Sequence, residues 1–147
     1  MIRRPPRYTH CISSAASDVY KRQNQHEAEI ATGIKITDDA MLQSAGSKLL
    51  RMLDCKYVVI TRGERGMSLF GAQGERFAIP SVARKVFDVS GAGDTVIAVL
   101  SLALAGGAPI EQAMQLANFA AGAVVEKLGT ATASGDEIIA LIEHGGA

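Results

Sequence analysis

Residues 88–95 read Asp-Val-Ser-Gly-Ala-Gly-Asp-Thr, and an almost entirely apolar run follows them as far as Ala105. The pattern predicts a strand that ends near Val89, then a Gly-rich turn, then a buried helix over 95–105. Small residues allow the backbone to approach a ligand closely, and the first N–H groups of a helix have no internal partners. Because those N–H groups lie at the positive end of the helix dipole, the turn is a candidate anion site.

The same turn carries a carboxylate that could act as a base. Asp94 at the start of the helix could accept the proton of an attacking hydroxyl, while the N–H groups of the turn stabilise charge on a phosphoryl group. The residues concerned are Gly91, Ala92, Gly93 and Asp94. A plain Gly-rich turn with Asp94 as the helix N-cap fits these four residues equally well. No Gly-Lys-Ser or Gly-Lys-Thr is present, and Val96 stands where a dinucleotide-binding Gly-x-Gly-x-x-Gly needs its third glycine.

The rest of the chain from residue 24 onward combines helix and strand patterns. Thr37 as an N-cap, with two aspartates in the first turn, predicts a helix to Leu53. A second amphipathic helix is predicted from Pro109 to Leu128, and Ser134-Gly135-Asp136-Glu137 is a capping box for a last helix. Apolar or alternating runs predict strands over 57–61, 67–70, 76–80 and 83–89. This order predicts an α/β layout in which helices cover a sheet.

Composition excludes several classes of function. The 147 residues fit one domain, and 15 Lys plus Arg balance 15 Asp plus Glu. A net charge of zero gives no indication of a nucleic-acid or anionic-membrane partner. The apolar stretch 96–105 is well short of the roughly 20 residues that a membrane helix needs. Two cysteines without metal-type spacing indicate a reducing compartment, so we expect a cytoplasmic protein.

Residues 1–23 differ in character from the rest. They mix Pro, Arg, Ser and Tyr without helical or strand periodicity. They resemble translated sequencing-adapter sequence of the kind found at the ends of metagenomic gene fragments. A disordered basic tail and a mitochondrial transit peptide are the alternatives. We therefore expect a non-native or disordered leader over 1–23, which includes the basic residues Lys21 and Arg22, and a folded region over 24–147.

Four motifs, in order along the chain, resemble those of the PfkB or ribokinase-like sugar kinases. Asn24-Gln25-His26-Glu27 resembles the Asn-x-x-Glu of that family, and Thr61-Arg62-Gly63-Glu64-Arg65-Gly66 resembles its Thr-x-Gly-x-x-Gly. Residues 88–95 resemble its C-terminal signature, and 118–122 resemble its late helix beside the adenine. The resemblance implies a ribokinase-like three-layer α/β sandwich, of which this chain is the C-terminal portion only.

The resemblance also implies a role for each matching residue. Asp94 would be the general base, and the N–H groups of 91–94 would form the anion hole. Asn24 and Glu27 would organise Mg²⁺ and the phosphates, largely through water. The residues along the ATP phosphates and ribose would be Thr61, Gly63 and Gly66.

Two more roles follow from the same resemblance. Asn118 would lie near the adenine. In several members of the family, a residue at the position of Asp88 and carbonyls near Gly129 hold a monovalent cation, so K⁺ is a further candidate. Plainer roles stay open for each: Glu27 as a helix-start acid, Gly63 and Gly66 as turn residues, Asn118 as an exposed polar residue and Asp88 as a local cap.

Segments 66–69, 88–97 and 127–130 resemble one branch of the family, the D-glycero-β-D-manno-heptose-7-phosphate kinases. This implies transfer of the ATP γ-phosphoryl group to the anomeric hydroxyl of heptose 7-phosphate, in ADP-heptose and lipopolysaccharide core synthesis. The family's sugar-binding residues, and the lid through which such kinases often form homodimers, belong to its N-terminal half. We therefore expect this chain alone to be inactive or nearly so. The alternatives are a nucleotide-binding module without turnover, and a kinase for ribose, fructose or a nucleoside.

Overall fold

The computed structural model describes residues 20–83, 89–129 and 131–145. Within these residues the chain forms four strands, five helices and one short 3-10 turn. In chain order they are β1 (Tyr20–Asn24), α1 (Gln25–Thr32), α2 (Asp39–Leu53), β2 (Tyr57–Thr61), the 3-10 turn Gly63–Arg65, β3 (Met67–Gly71), β4 (Arg76–Ile79), α3 (Ala92–Ala105), α4 (Ile110–Val125) and α5 (Gly135–Gly145).

The four strands form one sheet in the order β1-β2-β3-β4. β1 runs parallel to β2, whereas β2 with β3 and β3 with β4 are antiparallel. The three central residues of β2, from Val58 to Ile60, are fully buried, as expected for a β-branched run covered on both faces. The register places Asn24 opposite Thr61 at the carboxyl end of the parallel pair.

Alternate side chains of the strands enter two separate cores. Val58, Ile60 and Phe70 pack with α1 and α2 on one face, where Leu42 and Leu49 are fully buried. Val59 and Leu69 pack with α3 and α4 on the other face. The result is a helix–sheet–helix sandwich, which confirms the predicted α/β class.

Several predicted bounds are corrected by one turn or less. Asp38, not Thr37, is the N-cap of α2, because its Oδ1 accepts a 2.8 Å hydrogen bond from the Met41 N–H. The predicted strand over 76–80 ends at Ile79, and the predicted helix from 109 ends at Val125. The capping box of α5 is confirmed, since Ser134 and Glu137 exchange hydrogen bonds of 2.8 and 3.3 Å.

The predicted strand over 83–89 lies mostly outside the described residues. Its two end residues, Ala83 and Val89, have no regular secondary structure. At the other end of the chain, β1 begins at Tyr20, inside the leader that showed no strand periodicity. Every residue of β1 pairs with β2, so parallel pairing gives order here without an apolar pattern.

Helix α3 is buried along one face only, contrary to the expectation of a helix buried all round. It begins at Ala92, three residues before the predicted start at Thr95. Val96, Ile97 and Leu100 are buried, whereas Leu102 is 75% exposed. No helix in the described part of the chain is both long enough and apolar enough to cross a membrane.

Candidate active site

A cavity of about 390 Å³ lies between the carboxyl ends of β1 and β2 and the helices α3 and α4. Polar residues line one part of it and apolar residues another. The polar set is Arg22, Asn24, Thr61, Glu64, Ser81 and Asn118. Glycine and apolar residues complete the lining: Gly63, Gly66, Met67, Ala83, Val89, Ala92, Gly93, Val96, Ala121, Gly122 and Val125.

Seven of the predicted site residues line this one cavity, although they come from distant parts of the chain. They are Asn24, Thr61, Gly63, Gly66, Ala92, Gly93 and Asn118. Gly91, Asp94 and Glu27 do not line it. Asp88 lies outside the described residues, so its predicted cation role is not addressed by the fold.

Asn24 and Glu27 form the N-terminal cap of α1. The Asn24 Oδ1 accepts from the Glu27 N–H, and the Glu27 Oε2 accepts from the Asn24 N–H, both at 2.8 Å. This is the helix-start role left open for Glu27 by its sequence. Capping occupies one carboxylate oxygen of Glu27 and leaves the other available. Asn24 and Glu27 therefore fit a Mg²⁺ that is held through water and phosphates, and not one that is enclosed by protein ligands. No group of three or more His, Cys, Asp or Glu side chains among the described residues could hold a metal ion.

The turn between β2 and β3 brings backbone close to the cavity. Its loop is closed by hydrogen bonds from the Arg62 N–H to the Gly66 carbonyl at 2.8 Å and from the Gly66 N–H to the Gly63 carbonyl at 2.9 Å. Gly66 has φ of +79°, and a Cβ atom there would overlap the Ile79 carbonyl oxygen. The glycine is therefore required both by its backbone conformation and by the adjoining strand.

The start of α3 excludes one of the two interpretations of Asp94, the N-cap role. Gly91, with φ of 81°, is the N-cap, so Asp94 is the third residue of the helix and not its cap. The Ala92 N–H bonds to the Val89 carbonyl at 3.3 Å, which removes it from the predicted anion hole. The N–H groups of Gly93 and Asp94 have no backbone acceptor among the described residues. Asp94 itself is exposed.

Arg22 is a cavity residue that sequence reasoning missed, because it was assigned to the leader. Its Nη2 donates to the Thr61 Oγ1 at 3.2 Å. Its guanidinium also lies against the start of α3, where the Cζ atom would be 2.9 Å from a Cβ atom on Gly93. Glu64, inside the Thr61–Gly66 motif, is a second lining residue without an assigned role. Its place between two predicted phosphate-side glycines was the signal that could have found it.

Asn118 joins α4 to the segment after β4. It is 7% exposed, and its Nδ2 donates to the Pro80 carbonyl at 2.7 Å. One turn later, a Cβ atom on Gly122 would lie 2.8 Å from the Val82 Cγ2. These contacts correct the open alternative of an exposed Asn118, and they close the apolar part of the cavity.

The amino-acid sequence matches the family described as pfkB family carbohydrate kinase over residues 7–137. The chain belongs to this family. The match begins inside the predicted leader, and the boundary at residue 24 stays a prediction.

The chain is similar to much longer pfkB relatives. It is 56% identical over 122 residues to the bifunctional protein HldE of Citrifermentans bemidjiense, covering 83% of this chain and 25% of that protein. The HldE of Trichlorobacter lovleyi is 51% identical over 123 residues, which cover 82% of this chain and 25% of that protein. The chain thus spans about a quarter of the length of these curated relatives.

Solved structures confirm the predicted ribokinase-like fold. The Arabidopsis thaliana ribokinase complexed with ribose and ATP has a TM-score of 0.79 at 24% identity, covering 85% of this chain and 41% of that one. Phosphofructokinase-2 from Escherichia coli in complex with substrates and products has a TM-score of 0.77 at 20% identity. The match covers 88% of this chain and 41% of that one. This member of the pfkB family therefore spans about two fifths of a ribokinase-like chain.

Polar contacts of Lys127 and Glu137, called the Lys127–Glu137 clamp here, link the segment after α4 to the start of α5. The Lys127 Nζ lies 2.7 Å from one oxygen of Glu137 and 2.8 Å from the other, and it donates to the Thr132 carbonyl at 2.7 Å. The bonds from Lys127 and from the Ser134 N–H lower the pKa of Glu137 from 4.5 to about 2. The clamp joins the end of α4, which lines the cavity at Val125, to the start of α5.

Replacing Gly66 should cost more stability than replacing Gly63. Both glycines have positive φ, but only at Gly66 would a Cβ atom meet neighbouring backbone. Gly66 also combines φ of 79° with ψ of −134°, so Gly66→Ala should lower the free energy of unfolding by roughly 1–3 kcal/mol more than Gly63→Ala. Urea unfolding measures the difference, and equal losses would contradict the close approach of Gly66 to Ile79.

Lys127→Gln should remove a pH-dependent part of the stability. The Glu137 pKa is depressed in the folded chain, so ionised Glu137 stabilises the fold above the unfolded value of 4.5, and this contribution is lost as the pH falls towards 2. The melting temperature of Lys127→Gln should therefore lie below that of the unaltered chain at neutral pH, and the gap should narrow below pH 4.5. Lys127→Arg, which keeps the charge, is the control. A gap that stays constant with pH would contradict the clamp.

Proposed function

We propose that this chain carries the nucleotide-binding and catalytic part of a sugar kinase that transfers the γ-phosphoryl group of ATP to a sugar hydroxyl. The observation that carries the proposal is the helix start at Gly91–Asp94. There, two N–H groups that have no backbone acceptor among the described residues, an arginine and an exposed carboxylate come together beside one cavity. This combination suits phosphoryl transfer, because its catalysis rests on positioning and on stabilising negative charge.

The cavity has two parts that suit the two ends of ATP. Met67, Val96 and Val125 belong to an apolar part that suits a purine ring, and Asn118 is near enough to add hydrogen-bond specificity. Arg22 and Thr61, with the start of α3, form a polar part that suits the phosphates. The structure of the Arabidopsis thaliana ribokinase contains ATP, which supports ATP as the ligand of this cavity.

In the proposed reaction Asp94 accepts the proton of the attacking hydroxyl. The Gly93 and Asp94 N–H groups then stabilise charge on the phosphoryl oxygens in transfer. Mg²⁺, when bound, would neutralise charge on the nucleotide phosphates, and Asn24 with Glu27 would hold it through water. The exposure of Asp94 suits a base whose substrate approaches from outside the cavity.

The proposed acceptor is heptose 7-phosphate, giving the 1,7-bisphosphate. Its support is the set of branch-specific motifs at 66–69, 88–97 and 127–130. The chain is also 56% identical to an HldE but 24% identical to a ribokinase, which disfavours ribose. Because the chain spans about a quarter of its relatives, we propose that it has little or no activity alone.

Asp94→Asn should abolish turnover in a longer parent protein that includes the sugar-binding half. Loss of a general base lowers kcat by roughly 10²–10⁴-fold, while the KM for ATP should change little. The matched control is Asp136→Asn, which removes an exposed acid from the first turn of α5. Activity is measured as ATP-dependent phosphorylation of heptose 7-phosphate.

Three other outcomes would each contradict a different part of the proposal. Unchanged kcat in Asp94→Asn contradicts the base assignment. Phosphorylation of ribose, fructose or a nucleoside, but not of heptose 7-phosphate, contradicts the acceptor. ATP binding without transfer to any sugar supports a nucleotide-binding module without turnover.

A further inference from the structure

Glu64 is the one acidic side chain among the described residues that line the cavity. Its place there is unexpected for a site that holds phosphates, because a carboxylate repels them. An ionised carboxylate only accepts hydrogen bonds. The parts of an adenine nucleotide that can donate one are the ribose hydroxyls and the amino group of the base, so these are the candidate contacts of Glu64.

The turn that carries Glu64 lies where the two parts of the cavity meet. Thr61 belongs to the polar part that suits the phosphates, and Met67 belongs to the apolar part that suits the purine. These two residues are opposite each other in the antiparallel pairing of β2 with β3, so the turn leaves from one part and returns in the other. Ribose joins the phosphates of a nucleotide to its base. This position therefore favours the ribose hydroxyls over the amino group of the base.

The backbone of the turn is held in place, whereas the Glu64 carboxylate is available. The Arg62 N–H donates to the Gly66 carbonyl at 2.8 Å, and the Arg65 N–H donates to the Arg62 carbonyl at 3.2 Å. The Arg62 Nη1 also lies 3.7 Å from the Asp39 Oδ1 at the start of α2. Within the described part of the chain, no hydrogen bond or ion pair engages the carboxylate of Glu64, which is exposed. Both of its oxygens can therefore accept from a ligand.

A carboxylate and the two adjacent hydroxyls of ribose are matched in their hydrogen bonding. Two acceptor oxygens on one carbon can take the protons of two neighbouring O–H groups, and bonds to an ionised acceptor are the stronger kind. Dinucleotide-binding folds use an acid in this way, to bind the 2′-hydroxyl of ribose.

We propose that Glu64 accepts hydrogen bonds from the 2′- and 3′-hydroxyls of ribose and makes the site selective for ribonucleotides over deoxyribonucleotides. The inference rests on the proposed function, because it requires a nucleotide in this cavity. It extends that function to a residue for which the family resemblance implied no role, since the matching positions of the turn motif are Thr61, Gly63 and Gly66.

The test is calorimetric binding of ATP, 2′-deoxy-ATP and 3′-deoxy-ATP to the unaltered chain and to Glu64→Ala. The unaltered chain should bind each deoxy analogue roughly tenfold more weakly than ATP, because each lacks one charge-assisted hydrogen bond. In Glu64→Ala the three affinities should lie within about twofold of one another. The ratio of affinities is the readout, since removing the negative charge changes the attraction for the phosphates equally in all three ligands.

Two further variants separate hydrogen bonding from charge. Glu64→Gln keeps one acceptor oxygen without the charge, so its preference for ATP should be intermediate between those of the unaltered chain and Glu64→Ala. Glu111→Ala is the matched control, because it removes an exposed acid from the first turn of α4 that does not line the cavity. It should keep the full preference for ATP.

The possible failures of the inference and of the proposed function are distinct. Equal binding of ATP and the deoxy analogues by the unaltered chain overturns the inference and leaves the proposed function standing. So does a preference for ATP that persists in Glu64→Ala, because another group then recognises the ribose. An unaltered chain that binds none of the three nucleotides overturns both.

Discussion

The parallel pairing of β1 with β2 is the constraint on which the rest of the site depends. Parallel strands end at the same edge of a sheet, so Asn24 and Thr61, opposite each other in register, bring two distant motifs together. The helix that follows β1 and the turn that follows β2 then start from one edge. Helices α3 and α4 pack over the same face through Val59 and Leu69, and their ends complete the cavity. Without this pairing, Arg22 would lie far from the start of α3.

Glycine determines how closely these parts approach. Gly66 lies against the end of β4, Gly93 lies under Arg22, and Gly122 lies against Val82. A side chain at any of them would have to displace strand backbone, the guanidinium or the segment after β4. The same absence of side chains leaves room for a ligand with a flat apolar end and a charged end. Polar capping at Asn24–Glu27 and at Ser134–Glu137 fixes the starts of α1 and α5.

Motif spacing was enough to predict the fold class and seven of the seventeen residues that line the cavity. It gave β2, β3 and the helix pair α3–α4, and it identified Asn24, Thr61, Gly66 and Asn118 as site residues before their contacts were known. It failed where order comes from pairing and not from pattern. β1 has no apolar alternation, so Arg22 was set aside with the leader. Periodicity also could not show that Gly91 takes the cap position, which makes Asp94 the third helical residue, or that the Ala92 N–H bonds to Val89.

Nucleotide binding in the cavity between the strand ends and α3–α4 is the proposal on which the other assignments depend. It is tested most directly by titrating the ¹⁵N-labelled chain with ATP and following the backbone amide resonances by NMR. We expect the amides of Gly66, Gly93 and Gly122, which line the cavity, to shift together with one dissociation constant. The amides of Ser47, Lys48 and Arg51 on α2 should not move. Shifts confined to α2, or no saturable shift at all, would contradict nucleotide binding in the cavity.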